Sequence, residues 1–77
     1  MYRKLADLPV GGRGKITGFE RGFDAYKRKL MSMGLTPSTM FEVVRVAPMG
    51  DPVEIVVRDY KLSLRRDEAM AVLVEGL

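Results

Sequence analysis

At 77 residues and without a cysteine, this chain has room for one domain, 1–77, and for neither a disulfide nor a thiolate metal site. It also lacks histidine, so the commonest general base and the commonest ligand for borderline metals are both missing, which removes most hydrolytic and metal-dependent enzyme classes. A hydrophobic share of 47% against 30% charged residues excludes disorder, and a net charge of +3 leaves acidic proteins, nucleic acids and anionic lipid surfaces as partner classes without choosing between them.

The N-terminal run MYRKLADLPV has no long apolar core of the kind a signal peptide needs, and no later run has the length of a transmembrane helix. A small domain without disulfides fits the cytosol, and Met1 leads us to expect a free-standing small protein. Residues 1–14 read as a lead-in with Leu5, Leu8 and Val10 as apolar anchors, broken by Pro9, Gly11, Gly12 and Gly14. Alternation around Ile16 predicts a strand at about 13–20.

Arg21-Gly22 breaks the chain, and Asp24 is the expected N-cap of a helix from Ala25. Tyr26, Leu30 and Met33 share one helical face, with Lys27, Arg28 and Lys29 largely on the others. Gly34 suits the left-handed position after a helix, Leu35 is the apolar residue that follows it, and Pro37 prevents continuation.

Met40 to Ala47 is rich in β-branched and aromatic residues, and Pro48 to Pro52 is a turn by composition. Val53 to Arg58 predicts a strand with Val53, Ile55 and Val57 on one face, followed by a reversal at Asp59-Tyr60. In Lys61 to Arg65, Leu62 and Leu64 point in, while Lys61, Ser63 and Arg65 point out. Arg66 to Met70 suits a single helical turn, and Ala71 to Glu75 is the closing strand. The fold class is therefore mostly β with one main helix, about five short strands closing as a small barrel that hides its sheet edges.

The chemistry is sparse. Gly11-Gly12-Arg13-Gly14-Lys15 invites a phosphate-loop reading, but Pro9 stands where the first glycine belongs and a strand follows where a helix is required, so it reads as a structural turn. The carboxylates are scattered without the spacing of a calcium loop, and the adjacent Asp67 and Glu68 suit a solvated helix start. Serines lack a histidine to activate them, so we expect no enzyme, no cofactor and no metal site. Arg45, Arg58, Lys61, Arg65 and Arg66 with Tyr60 suggest a nucleic-acid stripe, diluted by Glu42, Glu54 and Asp59. Leu30, Met31, Met33 and Leu35 are more apolar residues than one narrow face needs; they are either core or a partner contact.

The ordered set Lys29-Leu30-Met31-Ser32-Met33-Gly34-Leu35, Pro37, Val43 to Pro52, Leu62 to Arg66 and Glu68-Ala69 resembles the FeoA family of ferrous iron transport proteins, over about Lys15 to Val74. The resemblance implies an SH3-like barrel in the cytoplasm, close to the inner face of the bacterial inner membrane. It also implies a partner, the ferrous iron transporter FeoB with its GTP-binding domain. Two positions depart from the family pattern: Ser38 and Asp59 stand where glycine is frequent, and the left-handed region is the conformation at stake.

Together these readings predict an accessory protein that binds the transporter through Leu30, Met31, Met33, Leu35 and Pro37, with Met49 beside them and Arg65 and Arg66 supplying charge. The alternatives are a small-barrel nucleic-acid binder and a self-associating module.

Overall fold

A computed structural model describes residues 3–76. Its elements in chain order are β1 (Arg3–Lys4), a 3-10 turn (Leu5–Asp7), β2 (Arg13–Phe19), α1 (Asp24–Ser32), β3 (Met40–Val46), a second 3-10 turn (Pro48–Gly50), β4 (Val53–Val57), β5 (Tyr60–Leu64), α2 (Arg66–Met70) and β6 (Val72–Gly76). The strands form one antiparallel sheet in the order β1-β6-β2-β3-β4-β5.

Two irregularities bend this sheet. The register shifts between Ile16 and Gly18 in β2 and between Val43 and Arg45 in β3, and an extra residue in one strand curls it and increases its twist. The sheet curls without closing: β1 and β5 are its edges, and α2 packs against the Leu5–Asp7 turn and touches β5 and β6.

Period-two burial fills the interior as alternation predicts. Val53, Ile55 and Val57 of β4, Leu64 of β5, Val72 and Val74 of β6, Ile16 of β2, and Phe41 and Val43 of β3 are all buried. Leu30 and Leu35 cap this core from α1 and its exit, and Ala69 does so from α2.

Several expectations change. Among the described residues the sheet has six strands, since Arg3–Lys4 pairs with Val74 and Leu73. The lead-in carries core: Leu5 and Leu8 are buried, whereas Val10 is 59% exposed. Val10 is displaced because the chain reverses there: the Gly12 N–H donates to the Pro9 carbonyl at 2.9 Å and Gly11 adopts φ +89°, leaving Val10 at the tip. Asp24 is the first helical residue and Phe23 precedes it without a side-chain cap, so Asp24 acts on the helix dipole instead. In the turn between β4 and β5 the left-handed residue is Arg58 (φ 57°), one position before Asp59.

Ser38 keeps the left-handed backbone that glycine would adopt, at φ 74°, so the departure there changes the strain and leaves the conformation left-handed. The phosphate-loop look-alike is structural, as expected. Its Gly11 and Gly12 amides are spent on the Val43 and Pro9 carbonyls, and a side chain at Gly14 would collide with the Glu75 carbonyl.

Candidate interaction surface

α1 ends in a full Schellman motif. The Leu35 N–H donates to the Leu30 carbonyl at 3.0 Å and the Gly34 N–H to the Met31 carbonyl at 3.1 Å, with Gly34 at φ +99°. The hydrophobic partners of that motif are Leu30 and Leu35, and both are fully buried. This corrects the expected contact surface. The motif packs these two side chains on each other and the core then buries both, so they can support a partner site but cannot touch a partner. Met31 is exposed, Met33 is half-buried against the core and Pro37 is exposed.

Tyr60 holds this end of the helix. Its hydroxyl donates to the Met33 carbonyl at 2.6 Å, and its ring end occupies the space beside Gly34 that a side chain would need. The Met33 carbonyl is one of the groups a helix C-terminus leaves unpaired, so this bond completes the cap from across the fold. Tyr60 is therefore pinned, which takes it away from the base-stacking role the basic-stripe reading gave it.

The start of α2 joins two other parts of the surface. The Arg65 N–H donates to Glu68 Oε1 at 2.9 Å, and Lys29 Nζ of α1 meets Glu68 Oε2 at 2.6 Å. Glu68 is only 4% exposed, against the expectation of a solvated helix-start pair; Asp67 is exposed as expected. Burial pushes the Glu68 carboxyl up, but the Lys29 ammonium and the Arg65 N–H more than offset this and hold it below the usual carboxylate range. One residue after Arg65, the Arg66 N–H donates to Asp51 Oδ1 at 3.3 Å, and the Arg66 side chain lies over Gly50. The first turn of α2 thus links α1 on one side to the Pro48–Gly50 turn on the other.

That turn displays Met49, which is 90% exposed at φ 70°. An unbranched apolar side chain held outward by a backbone that disfavours it is the least self-serving feature of the molecule. Arg65 and Arg66 are exposed nearby and form no ion pair among the described residues.

The strand face is a different matter. Arg13 pairs with Glu42 at 3.8 Å, Lys15 with Glu75 at 4.0 Å and Arg45 with Glu54 at 3.6 Å, each directly across a strand pair. These exposed pairs contribute little stability, but they neutralise the face locally. Arg45 is thereby lost to the proposed basic stripe.

Sequence reasoning missed the Lys29–Glu68 pair and the Tyr60 cap. Glu68 had a local signal, since it stands three residues after the helix-capping position in the spacing of a capping box. Tyr60 had none, because its acceptor lies 27 residues away in the chain.

Comparison with known proteins places this geometry. The FeoA domain profile matches residues 3–76. The solution structure of a FeoA-like protein from Clostridium acetobutylicum is 36% identical, covers 99% of this chain and 87% of its own, and superposes with a TM-score of 0.89. A zinc complex of FeoA from Stenotrophomonas maltophilia is 25% identical, with coverage of 95% and 89% and a TM-score of 0.81. It is described as a prokaryotic SH3 domain protein and a candidate ferrous iron transport activating factor. A fusion of Fe(2+) transport protein A with the transporter FeoB from Porphyromonas gingivalis is 33% identical over 72 residues, which is 94% of this chain but 8% of the fusion protein.

Proposed function

The chain belongs to the FeoA family, and from that premise we propose that it is an accessory or regulatory protein of ferrous iron uptake that acts by docking on a FeoB-type transporter. The observation that carries this reading is the Porphyromonas gingivalis fusion, in which the FeoA and FeoB parts share one chain. Covalent linkage raises the effective concentration of two modules to the millimolar range, which is useful when those modules bind each other.

The contact surface in this reading is Met31, the exposed rim of Met33, Pro37 and Met49, with Arg65 and Arg66 adding charge. Leu30 and Leu35 hold that surface from beneath. The chemistry of the side chains favours a binding role. In this reading the protein acts by contact and the transporter carries the iron. No helix among the described residues is long and apolar enough to cross a membrane, and docking is what brings the protein to one.

Binding of the purified protein to the detergent-solubilised transporter, with duplex DNA as parallel analyte, tests the reading. We expect saturable transporter binding that weakens about tenfold in Met31→Asp, equivalent to about 1.4 kcal/mol. Absence of transporter binding with and without GTP, together with salt-sensitive DNA binding, defeats it and revives the basic-stripe alternative.

A further inference from the structure

β5 is a sheet edge with an open ladder. The two-residue turn at Arg58-Asp59 makes Val57 and Tyr60 the closing hydrogen-bonded pair of the β4–β5 hairpin. Hydrogen-bonded and non-bonded pairs alternate along antiparallel strands, so the N–H and C=O groups of Lys61 and Ser63 point away from β4. Nothing among the described residues takes them up: β5 pairs with β4 alone, and neither backbone nor side-chain bonds elsewhere engage Lys61 or Ser63. Both residues are exposed.

Charge surrounds this edge asymmetrically. Arg58 and Lys61 lie at or near its start and Arg65 and Arg66 just past its end, all exposed and outside every ion pair among the described residues. The nearby carboxylates Asp51, Asp59 and Asp67 are three against these four cations, and Glu54, opposite Ser63, and Glu68 are already paired with Arg45 and Lys29, so the edge keeps a net positive charge. A second copy pairing edge to edge would bring two such cationic sets together, and like charges across a strand pair repel. An extended acidic segment meets both needs at once, supplying backbone partners to Lys61 and Ser63 and carboxylates to the flanking cations. Duplex DNA could meet only the charge, because it has no strand to complete the ladder.

We propose that the β5 edge binds an extended acidic peptide segment of a partner protein by strand addition. The segment pairs with Lys61 and Ser63 and is oriented by Arg58, Lys61, Arg65 and Arg66. The inference rests on the reading of the chain as a docking module, but its test needs no transporter.

The full chain is used to select from a displayed library of random twelve-residue peptides, and the enriched peptides are synthesised. We expect acidic sequences with alternating β-branched residues, which slow amide exchange of Lys61 and Ser63 when bound. Ser63→Pro, which deletes one edge N–H, and Lys61→Glu, which keeps the backbone but reverses the charge, should each weaken binding at least tenfold. The exchange pattern of the remaining amides in each free variant verifies that it is folded. Three outcomes overturn the proposal: no enrichment, enriched peptides or DNA that bind without protecting Lys61 and Ser63, or protection of these amides that rises with protein concentration alone and so reports self-pairing. Transporter binding that survives in Lys61→Glu and Ser63→Pro, with peptide binding lost, would leave the accessory role standing and remove this edge from it.

Discussion

Three non-glycine residues among those described hold left-handed backbone, and they separate strain that serves the surface from strain that merely persists. Met49 and Ser38 are both exposed with φ near 70°. A non-glycine residue there costs about 1–2 kcal/mol. Glycine relieves this at the expense of extra freedom in the unfolded chain, so we expect Ser38→Gly to stabilise the fold by about 0.5–1 kcal/mol in denaturant titration. Met49→Gly should stabilise by a similar amount and yet weaken transporter binding, because it removes the displayed thioether. Unchanged binding would take Met49 out of the contact. Gly34 gives the opposite case. Alanine there would face both φ +99° and the Tyr60 hydroxyl, and we expect a loss of about 2 kcal/mol with Tyr60 released, visible as a change in its fluorescence.

At the scale of elements, α1 is fixed by its end and by one ion pair. The Schellman motif buries Leu30 and Leu35, Tyr60 caps the Met33 carbonyl, and Glu68 clasps Lys29. Glu68 titrates with a lowered pKa in the folded state, so it adds stability above its unfolded value of about 4.5, and that stability is lost as pH falls through the lower folded value. Glu68→Gln should therefore flatten the acid limb of the stability curve below pH about 4.5. Near neutral pH it should cost about 1 kcal/mol, a modest figure because Lys29 is largely exposed. If the wild-type and Gln curves run parallel through that window, the carboxylate is not what joins α1 to α2.

For the whole molecule, the consequence is a division of labour between a locally neutralised sheet face and a surface around α2 that is left cationic and apolar. Leu35→Asp and Met31→Asp distinguish the inside from the outside of that surface. Leu35→Asp should abolish cooperative unfolding, since a charge would have to enter a core position with 0% exposure. Met31→Asp should shift the unfolding midpoint little and act on binding instead. Circular dichroism melts beside binding isotherms read both. Raising salt should weaken the association through Arg65 and Arg66, mostly in its on-rate.

Local rules wrote much of this fold into the sequence. Period-two alternation is an intrinsic property of strands, so β2, β4 and β5 were legible, as was the α1 stop, because Gly34, Leu35 and Pro37 act within one turn of the helix. The single turn at Arg66–Met70 and the reversal before Lys61 were legible for the same reason. The candidate site was only partly so: the exposed Met31, Met49, Arg65 and Arg66 could be picked out, but burial of Leu30 and Leu35 could not. An apolar residue near a helix end looks the same in sequence whether the core or a partner covers it. Tertiary structure alone decided that question, along with the pairing of Arg3–Lys4 with β6, the buried Glu68, and the β5 edge left open. Each depends on contacts between residues distant in the chain, whose free energy local patterns do not encode.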